Sequence, residues 1–436
     1  MTASSTNAAS VNVTITGTAK PKTFLDDNIT LSQVYNFSGN GTQPSWLDLS
    51  TNYLRSIIDL NGNIYALQCK AWGSPNIQIL EAYTGNNKGT LSVEGVQGCT
   101  VQMSSLNKLG DKLIASSAAS TTQNLYVYIW DNDASAPRIL LQVDAAGHGS
   151  EQIGAQVNVS GDLNNGALWF ANDNGTKIYK YAVTNGVAST TATVIELKKA
   201  DGTTAFAAGG ARGSIGIHVN DDGTFWVTGT DYTPTLFNAA GVAQYSMQTG
   251  AMGGNKYGTA FFPFDFGAKK YALVTSYKGG SDASLTLGGF ALVNITDGAD
   301  KADAAVGFYP EGGLGANSND QKVTCVRTSQ RNGGKIVDVW VCVCKQGLAY
   351  YTYNGEKESG ISTLDYSGDL KAYALGGTLY ISGADVDEVM VYNTTGALVA
   401  VANTTQVNID KLVKGIYVVR VKDVNGNVFS KSFIKK

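Results

Sequence analysis

The sequence is poor in charge and proline, and each shortage excludes a class of protein. Charged residues make up 15% of the 436 residues, against about 25% in typical soluble domains. The net charge of −3 comes without a cluster of Lys or Arg, which disfavours nucleic-acid binding. The 7 prolines are too few for a proline-rich linker. Because no apolar run reaches about 18 residues, no segment is expected to cross a membrane as a helix.

Motifs for catalysis are also missing. The only 2 histidines are His148 and His218, so a two-histidine metal site or a Ser-His-Asp triad would need one of them. His218 lies in an apolar run and is predicted to be a core histidine satisfied by the backbone, whereas His148 lies in a connection and is predicted to be exposed. The chain contains neither a phosphate-binding Gly-x-x-x-x-Gly-Lys-Ser/Thr loop nor a Gly-x-Ser-x-Gly elbow. This pattern favours binding over catalysis.

The five cysteines are an odd number that cannot all pair within one chain: Cys69, Cys99, Cys325, Cys342 and Cys344. None has zinc-ligand spacing. Cys342 and Cys344 alternate in an apolar run, which predicts that both lie on one strand face as buried hydrophobic residues. A disulfide from Cys325 to Cys342 or from Cys69 to Cys99 remains the alternative.

Residues suited to strands and tight turns are abundant. The chain has 22 Tyr and 14 Phe, and aromatic and β-branched residues favour strands, while its 51 Gly suit tight turns. We therefore predict an all-β fold. A strand, a tight turn and a second apolar strand recur six times at irregular intervals. A glycine marks each turn: Gly62, Gly110, Gly166, Gly223, Gly267 and Gly334.

A third apolar strand follows each of these units, and most third strands run into a hairpin turn such as Asn185-Gly186. Six units of four antiparallel strands predict a six-bladed β-propeller at residues 24–360. The strand Leu31 to Phe37 is predicted to complete the sixth unit and close the ring. A large sandwich or two stacked β-domains is the alternative fold. We expect residues 1–23 to be a flexible or partly ordered N-terminal segment.

The last part of the chain has a different spacing. Short strands follow one another from Leu379 onward, and a turn at Val424 to Asn427 separates the last two. The pattern predicts a small C-terminal β-sandwich at residues 361–436.

Three segments of this region carry a resemblance: Val391-Tyr392-Asn393-Thr394-Thr395-Gly396, Leu412 to Val419, and Lys431-Ser432-Phe433-Ile434-Lys435-Lys436. They resemble the C-terminal sorting domain of type nine secretion substrates of Bacteroidetes. The resemblance covers residues 370–436 and implies a secreted or cell-surface protein that uses export or surface-attachment machinery through these residues. It leaves open whether the domain is cleaved. The remainder resembles uncharacterised secreted β-propeller proteins of the same bacteria. Residues 1–23 lack a signal peptide's basic start and apolar block, so any export signal is expected to have been removed.

Propellers bind ligands on the face formed by the connections between blades and by the loops after each second strand. The predicted loops carry aromatic and polar side chains that suit a glycan or a protein ligand. The candidate ligand-binding residues are Trp46, Trp72, His148, Glu151, Arg212, Asp231, Tyr232 and Tyr257, with Lys278 and Asp320 nearby. Trp46 and Trp72 equally fit a purely structural role, packing the tops of the blades.

Other functions remain open. A carbohydrate-active hydrolase or lyase would need paired carboxylates, for which Glu151 and Asp231 are the candidates. A structural surface protein needs no site at all. No cofactor is predicted; the turns Asp131-Asn132-Asp133 and Asn172 to Gly175 have oxygen ligands for calcium, but Asx turn chemistry is the better interpretation. We expect a monomer.

Overall fold

The computed structural model describes residues 29–97, 99–206, 215–229, 232–252, 257–276, 288–315, 323–354, 371–375, 377–383, 385–424 and 428–435. The chain divides into two compact units, Met1–Glu356 and Lys357–Lys436. Both are all-β; the helical elements of the described residues are three short 3-10 turns, η1 (Ala146–His148), η2 (Thr249–Met252) and η3 (Ala299–Lys301). Within these ranges, no helix has the length and apolar character that a membrane span requires.

The first half of the N-terminal unit forms three antiparallel sheets, in which strands consecutive along the chain are neighbours. Sheet 1 contains β2 (Leu54–Leu60), β3 (Asn63–Gln68), β4 (Asn76–Glu81) and β5 (Asn87–Leu91). Sheet 2 contains β6 (Val101–Leu109), β7 (Lys112–Ala118), β8 (Leu125–Ile129) and β9 (Arg138–Val143). Sheet 3 contains β10 (Asn158–Gly161), β11 (Asn165–Ala171), β12 (Lys177–Thr184), β13 (Val187–Ala188) and β14 (Thr193–Glu196), the last pairing with β12.

The second half forms three more sheets of the same kind. Sheet 4 contains β15 (Ile215–Val219), β16 (Phe225–Gly229), β17 (Tyr232–Phe237) and β18 (Ala243–Ser246). Sheet 5 contains β19 (Tyr257–Phe266), β20 (Lys269–Ser276), β21 (Gly289–Asn294) and β22 (Gly307–Tyr309). Sheet 6 contains β23 (Thr324–Arg331), β24 (Ile336–Val343), β25 (Gly347–Asn354) and, from the other end of the unit, β1 (Ser32–Ser38).

The N-terminal strand closes the unit as predicted. Strand β1 pairs antiparallel with β25, with Asn36 opposite Ala349 and Ser38 opposite Gly347. The first and last strands of the unit therefore share one sheet, which protects an edge that would otherwise be free to pair with another chain.

Tight turns join the strands where the sequence predicted them. Asn61 and Gly62 have φ of 51° and 76°, and Asn185 and Gly186 have φ of 50° and 80°. Two successive positive φ angles define the type I′ hairpin turn, which Asn-Gly favours. Five of the six marker glycines lie at the turn between first and second strands, all with positive φ. The exception is Gly166, which pairs with Gly161 inside β11, one residue beyond the strand's start.

The core of the N-terminal unit lies between the sheets rather than inside any one of them. Separate apolar clusters join sheets 1 and 2, 2 and 3, 3 and 4, 4 and 5, and 5 and 6. A further cluster joins sheet 6 back to sheet 1, with Trp340, Tyr350 and Cys342 against Leu54 and Ile57. The sheets therefore follow one another in a closed cycle, which is a propeller-like fold.

Polar contacts near the first strands link neighbouring sheets. Buried hydroxyl or thiol groups of one sheet bond the backbone of the next sheet or of the connection that leads to it. The bonds are Leu106 N to Ser56 Oγ, Ser116 Oγ to Gly154 O, Thr228 Oγ1 to Gly258 O, Thr259 Oγ1 to Thr324 O, and Cys325 Sγ to Ile57 O. These strands approach so closely that small side chains are required. A Cβ added to Gly216 would overlap the carbonyl oxygen of Thr259.

All five cysteines are free and buried, which confirms the prediction of buried hydrophobic residues over disulfides. Cys325 lies directly opposite Cys342 in the pair of β23 and β24. Burial raises the pKa of the Cys342 thiol well above its usual value.

The C-terminal unit has two described sheets. One contains β26 (Lys371–Leu375), β27 (Thr378–Ser382) and β30 (Gln406–Asn408); the other contains β28 (Val386–Asn393), β29 (Leu398–Ala402), β31 (Gly415–Asp423) and β32 (Val428–Lys435). One apolar cluster includes residues of both sheets, among them Leu379, Val391, Val419 and Phe433. The predicted strands from Leu379 onward are present, and the predicted turn lies largely outside the described residues.

Candidate functional site

The connections between sheets gather at one end of the N-terminal unit. Each first strand starts, and each second strand ends, at this end, which we call the loop face. A cavity of ≈ 310 Å³ opens there, a size within the range of small-molecule sites. We call it the loop-face cavity; its lining includes Arg55, Ala71, Thr100, Ala119, Gln156 and Ile215.

Trp72 is next to this cavity and is exposed. Its neighbour Ala71 and its hydrogen-bond partner Thr100 both line the cavity, and the Trp72 N–H donates to the Thr100 carbonyl at 2.7 Å. The side chain is 75% exposed, and the backbone has φ of 59°, a left-handed conformation that is unfavourable for a bulky residue. Strain of this kind is characteristic of functional positions.

Trp46 is packed instead. Its ring meets Phe37 edge to face, with centroids 6.0 Å apart, and it lies against the apolar cluster between sheets 6 and 1. Its carbonyl accepts a hydrogen bond from Gln68 Nε2 at 3.0 Å. Of the two tryptophans proposed from sequence, the structural interpretation therefore fits Trp46 and not Trp72.

His148 is buried, so the prediction that it is exposed is wrong. It is 0% exposed at the end of η1, and its Nε2 lies 2.8 Å from the carbonyl oxygen of Gln123. The connection folds back over sheet 3 here, because the Tyr181 hydroxyl donates to the carbonyl of Gly147 at 3.3 Å. The Gly and Ser residues around His148 are typical of an exposed loop, but the tertiary packing of this connection buries the His148 side chain.

Glu151 is held in a polar cluster. Its Oε2 accepts from Asn172 Nδ2 at 2.9 Å and from the Tyr179 hydroxyl at 3.2 Å, while Oε1 pairs with Lys177 Nζ at 3.0 Å. This carboxylate raises the pKa of Lys177. With both oxygens engaged, Glu151 orders the connection between sheets 2 and 3.

The other predicted residues are dispersed. Tyr257 is 7% exposed, begins β19 and donates its hydroxyl to the Gln248 carbonyl at 3.1 Å; burial raises its pKa to about 12. Tyr232 begins β17, and its side chain is not among those described. Arg212, Asp231, Lys278 and Asp320 lie outside the described residues, so their part in a site stays a prediction.

A second cavity lies on the axis of the N-terminal unit. Residues from the first strand of every sheet line it, among them Asp59, Lys108, Asn158, His218, Phe262 and Arg327. Its volume is ≈ 160 Å³, and we call it the axial cavity. Gln156 lines both this cavity and the loop-face cavity, so the two adjoin along the axis.

The described lining of the axial cavity carries one carboxylate and two permanent cations. Asp59 pairs with Lys108 at 2.9 Å across sheets 1 and 2. Arg327 starts from sheet 6 and reaches past sheet 1, where its Nη2 donates to the carbonyl of Leu106 in sheet 2 at 3.1 Å. Its guanidinium therefore extends across the cavity with a charge that no described carboxylate neutralises.

His218 belongs to this cavity, and the prediction that the backbone satisfies it is wrong. Its ring meets Phe262 edge to face at 4.7 Å, and no described residue hydrogen-bonds to it. Burial, followed by the charge of Arg327, lowers its pKa to about 4. His218 is therefore neutral at pH 7 and adds no charge to the cavity.

Several polar atoms lining the axial cavity are buried without a hydrogen-bond partner among the described residues: Gln156 Nε2, Asn158 Nδ2, Arg327 Nε and Thr328 Oγ1. Sequence reasoning missed them. The available signal is polar residues within the predicted first strands, such as His218 after Ile217 and Arg327 and Thr328 after Val326. Only ring closure shows that these first strands line the axis.

The side-chain oxygens of the Asx-rich turns accept hydrogen bonds from the protein itself. Asn172 Oδ1 accepts from the backbone N–H of Thr176 and Lys177, and Asn132 Oδ1 accepts from that of Ala134. Asp133 Oδ1 accepts from the Tyr65 hydroxyl at 2.7 Å. The turn interpretation therefore fits. Among the described residues, no group of three or more His, Cys, Asp or Glu is placed to hold a metal.

Acidification should destabilise the protein through His218. Its pKa is about 4 when folded and 6.5 in the reference state, so the unfolded chain binds more protons between these values and stability falls as pH drops through that window. We expect His218→Asn to reduce this loss by roughly 1–3 kcal/mol, measured by urea unfolding at pH 7 and pH 4. The charged neighbours Asp59, Lys108 and Arg327 are unchanged in the variant. Identical pH dependence in both proteins would contradict the assignment.

The comparisons with known protein families show that the protein is exported. Residues 376–436 match the secretion system C-terminal sorting domain, so this is a secreted or cell-surface protein. Residues 23–312, about two thirds of the chain, match the domain of unknown function DUF4623. The chain therefore belongs to the DUF4623 family.

The chain is similar to several solved structures, and the fold is supported by the first of those described here, whose TM-score exceeds 0.5. A DUF4623 family protein from Bacteroides eggerthii DSM 20697 is 16% identical with a TM-score of 0.60, covering 75% of this chain and 76% of that chain. An alpha-L-arabinanase of Penicillium chrysogenum, complexed with arabinobiose, is 10% identical with a TM-score of 0.47, covering 75% of this chain and 99% of that one. The GH43_1 enzyme of Xanthomonas citri, complexed with xylose, is 10% identical with a TM-score of 0.40, covering 65% and 96%. No curated protein matches this chain.

Proposed function

We propose that the N-terminal unit is a six-bladed β-propeller spanning residues 24–360 and that residues 361–436 form a β-sandwich. The closed cycle of sheets 1 to 6, each with at least four strands, supports the propeller. The apolar cluster shared by the two sheets of the C-terminal unit supports the sandwich.

The proposed function is glycan binding at the loop face by a secreted or cell-surface monomer. The observation that carries this proposal is Trp72, a 75% exposed ring held in a left-handed backbone beside the loop-face cavity. An exposed indole offers a flat apolar face on which a sugar ring packs, and the polar lining of the cavity supplies hydrogen bonds to hydroxyl groups. Arg55 and Gln156 are such polar groups.

The positions and contacts of the carboxylates favour binding over glycoside hydrolysis. Hydrolysis needs two carboxyl groups about 5 to 9.5 Å apart. Of the candidate pair, Glu151 is committed to Asn172, Tyr179 and Lys177, and Asp231 lies outside the described residues. The described lining of the loop-face cavity has one carboxylate, that of Asp173.

The test is glycan binding by the full chain with and without the Trp72 ring. We expect glycan-array binding by the natural protein and, for Trp72→Gly, an affinity for the best glycan reduced about tenfold or more, the usual cost of losing an aromatic anchor. Tyr245→Ala, which removes a 39% exposed ring outside the loop-face cavity lining, is the matched control and should bind normally.

The same substitution should stabilise the fold. Glycine has no Cβ and adopts positive φ without strain, while Trp72 makes little contact that would be lost. We expect Trp72→Gly to raise the free energy of unfolding by about 1 kcal/mol, measured by denaturant titration. If Trp72→Gly is more stable and no longer binds glycan, the proposal is supported. If the natural protein binds no glycan on the array and Trp72→Gly leaves its stability unchanged, a structural role is favoured. If the natural protein binds only proteins, the ligand is a protein.

A further inference from the structure

The described lining of the axial cavity combines charged and polar side chains. Arg327, Lys108 and Asp59 carry charge, and amide and hydroxyl side chains such as those of Asn158 and Thr328 lie beside them. Asp59 and Lys108 neutralise each other at 2.9 Å. No described carboxylate pairs with Arg327, whose Nη1 and Nη2 donate to the carbonyls of Val326 and Leu106. Because His218 is neutral, the described lining has a net positive charge. Arg327 Nε is buried without a described partner, and a buried donor costs free energy unless it is hydrogen-bonded.

The unpartnered polar atoms point to the same ligand chemistry. Arg327 Nε, Gln156 Nε2 and Asn158 Nδ2 are all hydrogen-bond donors, and Thr328 Oγ1 belongs to a hydroxyl that can also donate. A cation would need acceptors at these positions. Donors that line one cavity together with a guanidinium instead match an anion, and a carboxylate matches a guanidinium in both charge and geometry.

The size of the cavity limits how much of a ligand it can enclose. Its ≈ 160 Å³ is close to the engineered cavity of about 150 Å³ that accommodates benzene, so a carboxylate and part of the sugar ring that bears it fit inside. Phe262 and His218 present aromatic surface on one side, which suits the C–H face of a sugar. Gln156 connects this space to the loop-face cavity beside Trp72, so an acidic unit and its neighbours in a glycan have room in adjoining cavities.

We propose that the axial cavity binds the carboxylate of a uronic acid, with Arg327 as its principal partner and Gln156, Asn158 and Thr328 as further donors. This inference rests on the proposed glycan binding and specifies the class of glycan. Because Gln156 lines both cavities, a glycan that occupies both has its acidic sugar as the innermost unit.

The test is calorimetric titration of the full chain with glucuronate and galacturonate, against glucose, galactose and acetate. We expect one of the uronates to bind at least tenfold more tightly than its neutral counterpart and than acetate. Equal affinity for acid and neutral sugar would overturn the inference. Acetate binding as tightly as the uronates would also overturn it, since the site would then recognise any carboxylate.

Two variants separate recognition from folding. Arg327→Gln should weaken uronate binding roughly 10- to 100-fold, the loss of a charge-assisted bond, and abolish the preference for acid. Because Arg327 also bonds the Leu106 carbonyl, Thr328→Val serves as a second variant. It replaces an unpartnered hydroxyl by an isosteric methyl, so it should leave stability unchanged or higher while weakening uronate binding roughly three- to tenfold. Unchanged affinity in a folded Thr328→Val and Arg327→Gln would contradict the site.

The outcomes also distinguish this inference from the function on which it rests. If the protein binds only neutral glycans on the array and Trp72→Gly abolishes this binding, the glycan-binding function stands and the uronate inference is refuted. If Arg327→Gln abolishes uronate binding while Trp72→Gly leaves binding to the glycan array unchanged, the axial site stands and the loop-face site is refuted.

Discussion

Replacing Arg331 by alanine should destabilise the N-terminal unit by about 3 kcal/mol, a large effect for a single charge. Asp338 is 0% exposed in β24, and Arg331 is its cation, with Nη2 and Oδ1 3.0 Å apart. The Tyr350 and Thr352 hydroxyls bond the same carboxylate at 2.6 and 3.0 Å. Without the guanidinium, a buried carboxylate remains with no described cation, and uncompensated buried charges of this kind typically cost about 3–5 kcal/mol. The Arg331 side chain is 39% exposed, which puts the expected cost at the lower end.

Arg331 also joins the two ends of the ring. Its guanidinium lies 4.3 Å from the ring centroid of Tyr83, which follows β4 of sheet 1. Cation–π contact adds roughly 0.5–1 kcal/mol at such partly exposed sites. The substitution therefore weakens the contact between sheets 6 and 1 at the point where the ring closes.

Denaturant unfolding followed by tryptophan fluorescence measures this effect in the right unit, because all 6 tryptophans belong to residues 1–356. Arg138→Ala is the matched control: Arg138 pairs with Asp131 at 3.6 Å, and the two side chains are 48% and 61% exposed. Such a pair contributes less than about 1 kcal/mol. Equal effects of the two substitutions would mean that Arg331 and Asp338 are not a buried pair.

Gly216→Ala should be at least as damaging. The added Cβ would overlap the backbone carbonyl of Thr259 in the neighbouring sheet, and backbone cannot move aside as a flexible side chain can. Overpacking costs typically 1–3 kcal/mol and occasionally more; because the contact is backbone to backbone, we expect about 3 kcal/mol or loss of soluble protein.

Gly312→Ala is the control for backbone entropy. A Cβ at Gly312 meets nothing within 4 Å, and neither glycine has the positive φ that favours glycine. This substitution should be neutral or stabilise by less than about 1 kcal/mol. If Gly216→Ala unfolds at the same denaturant concentration as Gly312→Ala, then β15 and β19 are not in close contact and the arrangement of sheets 4 and 5 is wrong.

Local sequence signals predicted the strands and turns well. Asn61-Gly62 and Asn185-Gly186 require positive φ and form the expected hairpins, and the alternating residues before Phe37 form the strand that completes sheet 6. The Gly166 position was less well predicted, since Asn165-Gly166 resembles a turn although the strand has already begun there. Local chemistry decides such features, so the sequence is informative about them.

The candidate site was only partly predictable. Trp46 and Trp72 are both loop tryptophans, and what separates them is the tertiary contact of Trp46 with Phe37. His148 is buried by contacts with Gln123, 25 residues away. Arg327 became a candidate only when ring closure placed β23 on the axis. Such contacts join residues distant in sequence, and no local pattern encodes them.

Hydrogen–deuterium exchange of the full chain, with and without its best glycan, tests the proposed binding site most directly. We predict slower exchange at residues 69–75, 99–101 and 152–156, which border the loop-face cavity. Residues 220–224 and 263–270, which border a surface cavity at the opposite end of sheets 4 and 5, should be unaffected. Protection confined to these latter segments, or to the C-terminal unit, would contradict glycan binding at the loop face.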